Sequence, residues 1–152
     1  MWVLTARLGR VHHVTIRLAT QADIPAMHRV RLAVTENRLS DPSRVTLADY
    51  APAISELGSG WVAEASGKVV GFAIGYRSGN IWALFVDPDH EGRGHGKALH
   101  SAMVSWLWAQ GPRHLWLTTG PGTRAEAFYR ALGWRPSGIV SSGELRLELD
   151  GP

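Results

Sequence analysis

Glu91, Gly92, Arg93, Gly94, His95, Gly96 and Lys97 stand between an apolar run, Ile81 to Val86, and a stretch from Lys97 to Ala109 in which Ala98, Leu99, Ala102, Met103, Trp106 and Leu107 recur at helical spacing. Strand, glycine-rich turn and helix in that order expose backbone N–H groups at a helix N-terminus, where they and the helix dipole hold anions. Glycine at every second position leaves no Cβ to keep a ligand off the backbone. An ordinary flexible connection would also carry isolated glycines, so known phosphate motifs are tested against the same residues. A Walker loop needs Gly five positions before its Gly-Lys pair and Ser or Thr after it, and those places hold Glu91 and Ala98. A dinucleotide fingerprint counted from Gly92 puts Lys97 where a small residue is required, and no βαβ repeat precedes it.

Upstream, Val14 to Leu18 alternates as a strand, and Thr20 with Asp23 forms a capping-box pattern; Pro25 makes Asp23 the alternative N-cap. Ile24, Met27, Val30 and Val34 give a first helix one apolar stripe, fraying near Glu36 to Ser40. Asp41, Pro42 and Ser43 read as a turn. Thr46 and Asp49 open a second short helix to about Leu57, ended by Gly58 and Gly60. Strands at 60–64, 68–76 and 81–86, separated by Ser66-Gly67 and Ser78-Gly79-Asn80 turns, make an antiparallel meander. After the long helix come a strand at 114–119, a helix from Arg124 to about Leu132 stopped by Gly133, and strands at 134–140 and 144–149. The order β-α-α-β-β-β-α-β-α-β-β predicts an α/β fold with a mixed, mostly antiparallel sheet flanked by helices. Residues 1–13 read as an N-terminal extension and 14–152 as a single domain.

The chain has 152 residues, 45% hydrophobic and 19% charged, a balance that supports one self-sufficient core. It contains no cysteine, which excludes disulfides, thiolate metal sites and a cysteinyl intermediate. No apolar run approaches the ~20 residues of a spanning helix, and no signal peptide is read, so the expectation is a cytoplasmic protein without a membrane partner. Sixteen basic against thirteen acidic residues give a net charge of +3. Arginines are scattered and lysine occurs only as Lys68 and Lys97, which argues against nucleic acid as a partner.

The glycine turn resembles the acyl-CoA loop of the GNAT N-acetyltransferase family: Gln or Arg, two residues, Gly, one residue, then Gly or Ala. Here Glu91 stands in the first place, a departure at a position that contributes mainly backbone N–H. Leu84, Phe85, Val86, Asp87 and Pro88 resemble the family's fourth strand and the loop after it. A second stretch, Thr123 to Trp134 with Ala127, Phe128, Tyr129 and Gly133, resembles the family's other signature and follows about thirty residues later, as in that family. Two ordered motifs at the family's separation are far more specific than either alone.

The resemblance implies acetyl-CoA as cosubstrate, with no metal. Amides from Glu91, Gly92, Arg93, Gly94, His95, Gly96 and Lys97 would grip the pyrophosphate, and Leu84, Phe85 and Val86 would pair with pantetheine as if it were an added strand. The family's Asn ahead of this helix is missing, since Gly122 or Thr123 holds its place; Thr118, Thr119 and Thr123 could offer hydroxyls near the thioester instead, and β-propensity and capping explain them equally well. Tyr129 would give a proton to the departing CoA thiolate, a task suited to a phenol of ordinary pKa ~10. Many relatives carry a Glu on the fourth strand, whereas Ile81 to Phe85 holds no acid. Glu36 is therefore the candidate catalytic base, with Asp87, His100 and a water chain as the others. The tryptophans read as core or sheet-face residues, and Glu36, Asn37, Arg38 and Tyr50 fall where the family builds its acceptor pocket. The function implied is direct transfer of acetyl to a primary amine of a small molecule or peptide; the alternative is a non-catalytic acyl-CoA sensor on the same fold. A homodimer is compatible with either.

Overall fold

The computed structural model describes residues 14–34 and 45–152. Its elements are β1 (Val14–Leu18), α1 (Ile24–Ala33), α2 (Tyr50–Ala53), β2 (Gly58–Ala65), β3 (Lys68–Tyr76), β4 (Ile81–Val86), α3 (His95–Ala109), β5 (His114–Thr119), α4 (Arg124–Ala131), β6 (Arg135–Ile139) and β7 (Leu145–Asp150). This is the order expected from the sequence. The expected extension at 1–13, the fraying at 36–40 and the turn at 41–43 lie outside the described residues.

The two candidate N-caps before α1 are both used. Thr20 donates through its backbone N–H (2.8 Å) and hydroxyl (3.2 Å) to Asp23, closing a short 3₁₀ turn over Gln21–Asp23. Asp23 takes the N-cap position of α1 without a side-chain cap bond, and the helix's second position is Pro25, where the missing N–H costs no helical bond. Arg17 holds Asp23 at 2.9 Å and Glu64 at 3.3 Å, joining β1, α1 and β2 and keeping the Asp23 carboxyl below the usual carboxylate range.

The second helix is much shorter than its predicted span. A 3₁₀ turn at Leu47–Asp49 precedes a single turn at Tyr50–Ala53, and the chain then closes through Leu57 N–H to Pro52 O (3.0 Å). Gly58 is not a helix stop but the first residue of β2: a Cβ there would overlap the Gly75 carbonyl oxygen of β3. The close approach of two strands selected this glycine, and it resembles a helix terminator in sequence.

The strands form two sheets, β1-β2-β3-β4 and β5-β7-β6, with every neighbouring pair antiparallel. The mixed character comes from a parallel bridge between Asn80 and Trp116, where Trp116 N–H reaches Gly79 O at 3.0 Å and Asn80 Nδ2 donates to Trp116 O at 3.2 Å. Beyond that pin β4 and β5 separate toward their C-terminal ends, and a wedge opens between the sheets. One face is covered by α3, whose Leu99, Met103 and Leu107 pack with Trp61, Leu115 and Leu147. The other is covered by α1 and α2, with Met27, Val30 and Tyr50 against Phe72 and Ile74. Each such fully buried side chain stabilises the fold by about 1.5–3 kcal/mol.

His100 on α3 is buried, and its Nε2 accepts from Trp134 Nε1 at 3.0 Å. Desolvation holds its pKa below the ordinary imidazole value, so the folded protein keeps it neutral where the unfolded chain is protonated. A depressed folded pKa means stability present above about pH 6.5 and lost as pH falls below it. Denaturant midpoints at pH 7.5 and 5.5 should therefore differ in the native protein, and the difference should shrink in His100→Gln, which keeps an acceptor for Trp134 without titrating.

Candidate active site

The glycine turn begins after a 3₁₀ turn at Pro88–His90 that is capped by Asp87, whose Oδ1 accepts from Asp89 N–H at 3.0 Å. Gly92 and Gly94 have φ of 76° and 86°, the left-handed region that side chains resist, and nothing lies within 4 Å of the Cβ either would carry. Gly94 is the N-cap of α3, so the helix starts at His95, two residues earlier than the stripe from Lys97 suggested. Gly96 differs: its φ is not left-handed, and a Cβ there would reach the Phe128 ring of α4 at 3.4 Å, an ordinary van der Waals contact. Open space in front of left-handed glycines at a helix N-terminus fits an anionic ligand such as a pyrophosphate.

A cavity of about 380 Å³ occupies the wedge between β4 and β5. Leu84, Phe85 and Val86 form one wall, and Glu91, Gly92, Gly94, His95, Gly96 and Lys97 form one end. Thr123 and Tyr129 of the α4 segment close the far side. Arg93 is exposed and does not line it. Glu36 lies outside the described residues, so its expected role as base has no geometry.

Several lining residues have tasks that the sequence had not assigned. Arg124, the first residue of α4, pairs with Glu91 at 2.9 Å across the mouth of the cavity. This pair offsets the charge of the one carboxylate set into the glycine turn. Phe128 both packs against the α3-side core and lines the cavity, and Val34 reaches it from the end of α1. Arg124 was visible as the basic residue opening the second motif, but no spacing rule joined it to Glu91. Thr123 caps α4 by accepting from Glu126 N–H at 3.2 Å and donates to Gly120 O at 2.8 Å.

Tyr129 is 6% exposed, and its hydroxyl has no hydrogen-bond partner among the described residues. Burial pushes its pKa well above that of a free phenol, so it carries its proton at every physiological pH. The alternative bases are otherwise engaged. Asp87 caps its turn and stands 4.0 Å from Arg29, and His100 is committed to Trp134 away from the cavity wall. Tyr50 is fully buried against Phe72 and bonded to His28 Nδ1 at 3.0 Å, with its pKa raised to about 12 by desolvation. It is a core residue rather than part of an open acceptor pocket. Among the described residues no three His, Asp or Glu side chains are placed to hold a metal, and no helix is long and apolar enough to cross a membrane.

Residues 24–134 match the model of the Acetyltransferase (GNAT) family, and the chain belongs to that family. It is thus an acetyltransferase with acetyl-CoA as cosubstrate. The fold is shared with solved structures at low identity. The ribosomal-protein-S18-alanine N-acetyltransferase from Escherichia coli is 23% identical, with a TM-score of 0.72 over 91% of this chain and 93% of that one. A GNAT-family acetyltransferase from Staphylococcus aureus Mu50 is 16% identical with a TM-score of 0.77, covering 90% and 98%. The PaiA N-acetyltransferase from Thermoplasma acidophilum, solved in complex with coenzyme A, is 13% identical with a TM-score of 0.74 over the same shares, 90% and 98%.

Proposed function

We propose that the protein transfers the acetyl group of acetyl-CoA directly to a primary amine within the cavity between β4 and β5. The observation that carries this reading is the convergence on one cavity of an unpaired strand edge, left-handed glycines at a helix N-terminus and a buried phenol. The edge of β4 freed by the splay presents the backbone of Leu84, Phe85 and Val86 to pantetheine. Amides of the Gly92–Lys97 turn hold the pyrophosphate, helped by Lys97, and Arg124 screens Glu91 from it. The PaiA relative, crystallised with coenzyme A, supports the same placement by analogy of fold.

In this scheme the neutral amine attacks the thioester carbon, the C–S bond breaks, and Tyr129 protonates the departing thiolate. The proton released from the amine leaves through water, with Asp87 and His100 both engaged elsewhere, and the phenolate regains one from solvent. The test is release of free CoA from acetyl-CoA across a panel of primary amines, together with the thermal shift produced by acetyl-CoA, which rises with concentration for a native-state ligand. Amine-dependent release supports transfer. Stabilisation by acetyl-CoA without release on any amine favours the sensor, and no stabilisation overturns both.

A further inference from the structure

Arg31 lies on α1, one helical turn before Val34. Its guanidinium carbon is 4.9 Å from the centre of the Phe85 ring and 5.5 Å from that of Trp82, so the two rings cradle the cation. Among the described residues Nη1 is sealed from solvent without a hydrogen-bond partner, and no carboxylate forms an ion pair with Arg31. The polar groups nearest the guanidinium are the Tyr50 hydroxyl, which interacts with it while also bonding His28 Nδ1, and Asp49, which attracts it while holding the backbone N–H of Thr46 at 2.7 Å. Guanidinium does not shed its proton, and a desolvated charge without a counter-charge is costly. Stacking on rings uses the flat face of the fork and leaves its edge, where N–H groups match a carboxylate, available. Arg31 as a whole remains partly exposed.

Val34 and Phe85 are also walls of the cavity. Trp82 sits at the irregular register between β3 and β4, which turns it toward the α1 face together with Phe85. We propose that Arg31 is the anchor for a carboxylate on the acceptor, so that the preferred substrate is an amine that also bears a carboxylate. This rests on the acetyl-transfer reading and adds the acceptor class. A polyamine or an aminoglycoside would bring further positive charge against a guanidinium that has no carboxylate ion pair among the described residues.

The experiment compares matched acceptors in the native protein: glycine, β-alanine and γ-aminobutyrate, each against its own amide, with spermidine as the cationic control. At least one acid should exceed its amide by about tenfold in kcat/KM, the size of a lost hydrogen bond to a charged group. Arg31→Gln should remove that preference by raising KM for the acid alone, Arg31→Lys should keep part of it, and both variants should retain the native thermal shift with acetyl-CoA. Equal use of acid and amide, a preference for spermidine, or an Arg31→Gln variant that slows acid and amide alike would overturn the proposal while leaving acetyl transfer intact. A native protein that does not respond to acetyl-CoA at all would instead overturn the acetyl-transfer reading, and the anchor with it.

Discussion

Tyr129→Phe is expected to lower kcat by about 100- to 1,000-fold, within the range that a positioned proton donor supplies, while leaving acetyl-CoA affinity and fold stability close to native. The separation follows from where the oxygen sits. Tyr129 packs its ring against Phe128 and Trp134 in the α3-side core, and Phe reproduces that packing. The hydroxyl bonds to no described residue, so its removal orphans no buried partner. Burial pushes the phenol pKa upward, which taken alone disfavours donation. The same desolvation destabilises a CoA thiolate formed beside it, so the affinities of both groups for the proton rise together. The folded pKa lies above the free value, so the proton is held at all lower pH, and kcat should show no alkaline loss from Tyr129 below about pH 10. Steady-state kinetics with saturating acetyl-CoA, paired with a thermal shift, separate the two effects. A variant rate within about threefold of native would reduce Tyr129 to a core residue.

Most of the fold was legible because each signal was local. The helical stripe of α3, the alternation of β1 and the turn residues between β2, β3 and β4 fixed type and order. The errors sit where one segment was shaped by another. Gly58 reads as a helix stop, yet it is glycine because β3 backbone lies against it. His95 and Gly96 belong to α3 although neither shows an apolar stripe; the left-handed cap at Gly94 sets that start. The candidate site divides in the same way. The glycine turn and Tyr129 carry sequence motifs, so they could be placed together before their meeting was seen. Arg31, Val34 and the Glu91–Arg124 pair could not, because each depends on partners distant in sequence. Single-sequence patterns report periodicity and turn chemistry but not which side chain faces which across a wedge between sheets.

Gly94→Ala should weaken acetyl-CoA binding by about ten- to a hundredfold, equivalent to about 1.4–2.7 kcal/mol, with kcat at saturating acetyl-CoA reduced far less than in the Tyr129 variant. Gly94 holds φ at 86° and ψ at 5° as the N-cap of α3. Alanine in that left-handed conformation is strained by roughly 1–2 kcal/mol. Relaxing the strain turns the cap toward ordinary φ and re-aims the first-turn N–H groups proposed to hold the pyrophosphate. Keeping the conformation instead leaves a methyl in the open space before the turn. Either response damages the anion cradle. The control is Gly143→Ala in the turn between β6 and β7, where φ is 88° and the Cβ position is equally open. That substitution carries the same backbone strain but is outside the cavity lining, so it should lower stability comparably and leave acetyl-CoA affinity native. Isothermal titration of both variants distinguishes local strain from damage to a phosphate site. Equal affinities in the two would mean that the turn does not grip the cosubstrate, and the anion-binding end of the cavity would have to be sought elsewhere along β4.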